Sequence, residues 1–147
     1  MKLSTRGRYG TKALLDVALN GGEKPVLLKD IAQRQQISLM YLGHLITPLV
    51  TAGIIRSTRG AKGGISLARP PQEIRLSEVV QLIEGSIAPV ECINNHESCP
   101  QYEVCATRDT WDEIKKAVNG VLESTSLQDL VERHEQKQQT KKAMYYI

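Results

Sequence analysis

The chain has 147 residues, of which 41% are hydrophobic. That is enough for one domain, or a small domain with an appendage, and too apolar for general disorder. Its net charge of +3 hides a division: residues 1–70 carry eleven Lys/Arg against three Asp/Glu, a net of +8, and residues 71–147 a net of −5. A basic half is the electrostatic footprint of a polyanion binder. No run of about 18 or more apolar residues occurs, so no membrane span is expected. The opening MKLSTRGRYGTK also lacks the long apolar stretch of a secretory signal. A cytoplasmic protein with reduced thiols is therefore expected, and clustered cysteines there point to metal or redox work. There is no Phe, so aliphatic side chains must fill the core.

Ser4 can cap a first helix in which Tyr9, Ala13, Leu14, Val17 and Ala18 recur at helical spacing, up to Gly21-Gly22. A short second helix fits Leu28 to Gln33, with Ile31 and Ala32 inward. Gln35, Gln36 and Ile37 make a tight connection. Ser38 then caps a third helix with the buried stripe Leu42, Leu45, Ile46 and Leu49. Tyr41, His44 and Thr47 fall on its other side. Pro48 should kink or shorten it, and Gly53 marks its end. Residues 54–58 and 65–69 read as two strands around the glycine-rich turn 59–64. Three helices and then a hairpin make a winged helix-turn-helix, so the expected fold class is mainly α with a small β-hairpin.

Pro70-Pro71 opens a linker. Ser77 is expected to cap a fourth helix carrying Val79, Val80, Leu82 and Ile83, with Gly85 at its end. A loop with Cys92, Cys99 and Cys105 follows. A long helix starts near Ala106, where Trp111, Ile114, Val118, Val121 and Leu122 repeat at three- and four-residue steps. Thr125 with Gln128 reads as a capping box for a last helix, Ser126 to Glu135. The expected organisation is a winged-helix domain over residues 1–70, and a sensor loop with dimerisation helices over 71–147. A helix of about 18 residues spans about 27 Å and would overrun so small a domain, so a second copy is the expected cover of its apolar stripe.

Reading DNA needs one element in the major groove and cations on the phosphates. Ser38, Leu39, Met40, Tyr41 and His44 on the third helix can enter the groove. Arg59 at the hairpin tip suits the narrow, electronegative minor groove. Arg56, Lys62, Lys2, Thr5, Arg6, Arg8 and Lys29 can supply phosphate contacts, and Tyr9 and Tyr41 offer hydroxyls. The alternatives are a partnerless surface turn for the hairpin tip, and half-buried rings with wet hydroxyls for the tyrosines. An enzyme has little support: His44, His96 and His134 are scattered, and no nucleophile motif or nucleotide loop occurs.

The opening MKLSTRGRYG, the core YLxxLIxPLVTAGIIRSTRGAKGG, the segment IEGSIAPVEC and the three cysteines together resemble the IscR–NsrR–CymR family of winged-helix repressors, over nearly the whole chain. The ending AMYYI is similar to that of the cysteine-metabolism branch. The resemblance implies a dimeric transcriptional repressor that binds a double-stranded DNA operator. Many members carry an iron–sulfur cluster on a Cys-x₅₋₇-Cys-x₅-Cys loop, and here the spacing is Cys92-x₆-Cys99-x₅-Cys105. Other members lack the cysteines and sense metabolites through a partner enzyme. Thiolates are the soft ligands such clusters use, and a two-iron or a four-iron form would suit them. Zinc is the rival, but the Cys-x₂₋₄-Cys knuckle of structural zinc sites is missing. A thiol–disulfide switch needs two of the cysteines and leaves one unexplained. The family's usual fourth ligands are replaced here by Gly43, Arg108 and Arg8. His44, His96, Glu91, Glu97, Glu103 and Asp109 remain, as do solvent, a small thiol or the partner subunit.

Overall fold

The computed structural model describes residues 2–146, so Ile147 at the end of AMYYI lies outside it. Its elements in chain order are α1 (Thr5–Asn20), α2 (Leu28–Gln35), α3 (Leu39–Thr51), β1 (Ile55–Thr58), β2 (Gly64–Leu67), α4 (Leu76–Glu84), α5 (Ala106–Ser124) and α6 (Leu127–Tyr145). This is the winged helix-turn-helix expected from the sequence, followed by three further helices.

Ser4 caps α1 as expected, its Oγ accepting the Gly7 N–H, and the helix ends at Gly21. The second helix runs two residues further than its apolar pattern suggests. It stops where Gln36 adopts a left-handed conformation at φ 56° and returns its N–H to Ala32 and Gln33. Pro48 does not shorten α3, which continues to Thr51. The single ladder bond it removes would have ended on the carbonyl of exposed His44, where water can replace it. The strands pair antiparallel, Ile55 opposite Leu67 and Thr58 opposite Gly64. Val26 adds a bridge to Ile65, with both N–H···O bonds at 2.8 Å. Gly64 sits at φ 145°, and a Cβ there would come within 2.4 Å of the Val26 carbonyl oxygen, so only glycine permits this close third strand.

Two expected caps lie elsewhere. α4 begins after Arg75, with no side-chain cap, and not at Ser77. Its first N–H, from Leu76, instead donates to the Thr125 carbonyl at 2.9 Å, and the Leu127 N–H donates to Ile74 at 2.8 Å. This exchange between distant segments sets the start of α4, which no local signal could reveal. The capping box of α6 is Ser126 with Asp129, one residue on from Thr125 with Gln128. α6 then continues ten residues beyond Glu135 to Tyr145. The polar run after Glu135 is helical although it buries nothing, since Lys and Gln are good helix formers.

The core is aliphatic, as the lack of Phe requires. Leu14 and Val17 of α1, Ile31 of α2, Leu42, Ile46 and Leu49 of α3, and Ile54, Ile55 and Ile65 of the hairpin pack with Ile74, Val79, Ile83 and Leu127. Residues from both halves of the chain therefore share one core. Asp16, 4% exposed, sits at the edge of this core. It is held by two bonds from Arg34 Nε, by Arg34 Nη2 at 2.6 Å, and by Gln35 and Asn20. Burial opposes its charge, but these donors outweigh that and hold its carboxyl below the usual carboxylate range.

Candidate functional site

α1, α2, α3 and the hairpin each present cations or polar groups to solvent. Ser38 Oγ accepts the Tyr41 N–H at 3.1 Å, which fixes the first turn of α3 and leaves neighbouring N–H groups at that end open. Leu39 and Met40 follow it; Met40 is 77% exposed. Tyr41 is half-buried and His44 exposed. Gly43, between them, faces open space: a Cβ there would meet nothing within 4 Å.

α1 reaches this end of α3 through a pair of rings. Tyr9 and Tyr41 meet edge to face, with centroids 6.4 Å apart. The Arg8 guanidinium carbon lies 5.7 Å from the Tyr9 centroid and the Lys12 ammonium 5.5 Å from it. Cation–π contacts of this kind contribute about 0.5–1 kcal/mol at exposed sites, enough to bias where two cations point. Lys2, Thr5 and Arg6 are exposed at the same end of α1. Lys29 is exposed on the first turn of α2, and Arg56 on β1 opposite Ser66.

At the wing, Arg59 and Lys62 are both exposed. The Gly63 N–H closes the tip by donating to the Gly60 carbonyl at 2.9 Å. The Val26 bridge sets Lys24 beside Lys62 along a cleft of about 400 Å³, with Pro25, Leu27 and Ala61. Lys12 and Lys24 are cations that the sequence reading leaves out. Lys12 falls one helical step after Tyr9, a spacing that marks the same face. Lys24 had no local signal, because its neighbour on the wing comes from a distant strand.

The cysteine segment is a chain of three single turns of 3₁₀ helix, Glu91–Ile93, His96–Ser98 and Tyr102–Val104. All three thiols are free and half-buried. Among the described residues no three Cys, His, Asp or Glu side chains converge as metal ligands. Cys105 is the N-cap of α5, and its sulfur contacts Thr107 Oγ1 at 3.3 Å. The Thr107 hydroxyl first, and then the Arg108 backbone N–H, draw the thiol toward thiolate. Three reduced thiols, one biased to the charged form and strung on short turns, suit a soft metal or an iron–sulfur cluster as a donor set.

Arg108, three residues after the last cysteine, is committed to its own neighbours. It donates to the Tyr102 carbonyl at 2.6 Å, pairs with Asp109 at 3.1 Å, and lies 4.4 Å over the Tyr102 ring. His96 stacks on that ring at 4.2 Å. Of the remaining candidates, Asp109 is thus engaged by Arg108, while Glu91, Glu97, Glu103 and His44 are exposed.

The end of α4, just before the cysteine segment, is joined to the first turn of α1. Glu84, the last residue of α4, accepts the Gly7 N–H at 2.7 Å and the Ser4 N–H at 3.4 Å, and the Ser4 hydroxyl also donates to it. The approach is close: a Cβ on Gly7 would fall 2.3 Å from Glu84 Oε1, and one on Gly10 2.3 Å from Ile83 Cδ1.

α5 carries no fully buried residue; Trp111 and Val121 of its apolar stripe are exposed, and Ile114, Val118 and Leu122 half-buried. No helix among the described residues is long and apolar enough to cross a membrane.

Residues 3–133 match the Rrf2 family model, described as an iron-dependent transcriptional regulator. The chain is 50% identical to the protein Rrf2 of Nitratidesulfovibrio vulgaris over 131 residues, 89% of this chain and 87% of that one. It is 40% identical to the regulator CymR of Bacillus subtilis over 147 residues, the full length of both. The solved structure of CymR, titled the global cysteine regulator of B. subtilis, superimposes with a TM-score of 0.77 at 39% identity, covering 90% of this chain and 98% of that one. T. potens IscR does so with a TM-score of 0.77 at 38% identity, covering 94% and 91%.

Proposed function

The chain belongs to the Rrf2 family of transcriptional regulators, a family of regulators and not of enzymes, and on that basis we propose that it is a dimeric DNA-binding repressor whose operator affinity follows an iron–sulfur cluster held by Cys92, Cys99 and Cys105. The observation that carries the cluster reading is the donor set: three free, half-buried thiols on one segment between α4 and α5, with Cys105 drawn toward thiolate. The family description, an iron-dependent regulator, supports it.

In this reading α3 enters the major groove with Ser38, Met40, Tyr41 and His44 toward the base edges. Arg59 enters the minor groove from the wing. Lys2, Thr5, Arg8, Tyr9, Lys29, Arg56 and Lys62 hold the backbone, with Lys12 and Lys24 beside them. The exposed side of the α5 stripe packs on a second copy, which sets two reading heads about one helical turn, roughly 34 Å, apart. When bound, the cluster supplies a reversible, oxidant-sensitive centre. The protein's part would be to present three thiolates from one segment. With Gly43, Arg8 and Arg108 unable to ligate, the fourth position falls to one of the remaining acidic or histidine side chains, to solvent, to a small thiol or to the partner subunit. A weak fourth ligand makes the cluster labile, which suits a sensor.

The test is the absorption spectrum of protein purified without oxygen. Sulfur-to-iron charge-transfer bands that disappear in Cys99→Ala establish thiolate-bound iron. A protein that stays colourless after iron and sulfide are supplied overturns the cluster reading.

One observation favours a second reading. The bias of Cys105 toward thiolate also suits a redox thiol, and the full-length likeness to a regulator titled for cysteine suits control by thiol oxidation or by a partner enzyme. Operator binding by cluster-free protein that responds only to oxidant, or to an added enzyme, would establish it.

A further inference from the structure

We propose that Glu84 is a positioning residue for DNA binding: it holds the DNA-facing first turn of α1 and makes the position of that turn depend on the cysteine segment that starts beside it. The proposal rests on the reading of α1 as a DNA contact and of the cysteine segment as a sensor.

The geometry is unusual for a surface carboxylate. Glu84 lies 77 and 80 residues from the groups it binds, yet it takes the Gly7 N–H, the Ser4 N–H and the Ser4 hydroxyl. Ser4 is also the N-cap of α1, so one hydroxyl caps the helix and is itself oriented from α4. A carboxylate at a helix N-terminus is favoured both by the orphan N–H groups and by the helix dipole. Gly7 and Gly10 clear the path for α4, so these two positions allow α1 to be set by the end of α4.

What surrounds the contact gives it direction. Thr5, Arg6 and Arg8 lie on the very turn that Glu84 holds, Lys2 lies just before it, and all four are exposed. On the other side, Gly85 at φ 76° turns the chain out of α4, and Ser86 begins the run to Cys92. Lys2 and Leu3 line one small cavity with Glu84, Ser86, Ile87 and Ala88, together with Val118 of α5. Residues 86–88 thus adjoin the start of α1 both through Glu84 and across the cavity they share with Lys2 and Leu3.

The test compares wild type, Glu84→Gln and Glu84→Ala on a 30-base-pair duplex selected by the wild-type protein from a random pool. Each protein is measured after supply of iron and sulfide, and again after iron is removed by a chelator. In Glu84→Ala the affinity falls about tenfold, the size expected for losing hydrogen bonds to a charged group. The dependence of log affinity on log salt becomes shallower by about one or two phosphate contacts. The affinity ratio between the two iron states moves toward one. Glu84→Gln, whose amide oxygen can still accept from Gly7, recovers most of the affinity. Equal thermal midpoints for the three proteins show that the fold is not what changed; a lowered midpoint with an unchanged salt slope and state ratio reduces Glu84 to a structural cap and overturns the proposal. Wild type that binds with state dependence, alongside Glu84→Ala that keeps the same slope and ratio, also overturns it. Wild type that binds no duplex, or binds equally in both iron states, overturns the underlying functional reading and this proposal with it.

Discussion

Tyr9 and Tyr41 meet edge to face at an interplanar angle of 79°, the one aromatic pair that joins α1 to α3 among the described residues. The rings hold two helices, while their hydroxyls are not needed for that contact. Such a pair is worth about 0.5–1.5 kcal/mol beyond its buried area. Tyr41→Phe should therefore leave the thermal midpoint unchanged and weaken operator binding about threefold through loss of one base-edge hydrogen bond. Unchanged affinity would assign the hydroxyl to water alone.

Arg59 stands at the wing tip with Lys62 three residues on. Arg59→Ala should cost specific binding more than Lys62→Ala, because an arginine in a narrow minor groove reads shape as well as charge. The expected result is a loss of about tenfold or more for Arg59→Ala, against a salt slope lowered by about one for Lys62→Ala, in a titration across salt. Equal, small losses would place the wing away from DNA.

Gly43 faces open space on the exposed side of α3. Glycine in a helix interior costs about 0.5–1 kcal/mol relative to Ala. Gly43→Glu should therefore raise stability by roughly half a kcal/mol in a denaturant titration. It should also shift the selected DNA sequence, since a carboxylate beside His44 accepts from cytosine and repels phosphate. Reduced stability would show that the space is filled in the native state.

Asp16 titrates below its ordinary value in the folded chain, so its charged form stabilises the fold at neutral pH. That contribution is complete above the ordinary carboxylate range and is lost as pH falls through the lowered value. Asp16→Asn should cost about 1–3 kcal/mol at neutral pH, because the buried carboxylate loses its charge-assisted hydrogen bonds from Arg34, Gln35 and Asn20. The gap between variant and wild type should close on acidification. Denaturation curves from neutral pH into the acid range measure both; a gap that stays constant would deny the ion pair its role.

Val121 is 64% exposed on the α5 stripe. Val121→Glu should separate the proposed dimer and halve the mass found by sedimentation equilibrium, with helix content retained. A variant that keeps the full mass would move the seam to another surface.

Most of the fold was legible because its signals are local. Ser4 and Ser38 announce their helices, and the alternation around Arg59-Gly60 announces the hairpin. What could not be read depends on partners far along the chain. Arg75 starts α4 because Leu76 bonds Thr125, and Ser126 takes the capping box because it pairs with Arg75. Within the candidate site, the cations and the cysteines were legible as residue types. Their link was not: Glu84 reads as an ordinary helix-end carboxylate until Ser4 and Gly7 are placed against it.

The contribution of Leu127 to the shared core bears on how the protein is born. A ribosome releases the three helices and the wing long before it has made residue 127. Until then Ile74 and Val79 lack a neighbour, and the exchange between Ile74 and Leu127 cannot form. The core under the three helices and the wing is therefore completed only late in synthesis, once Leu127 can close it.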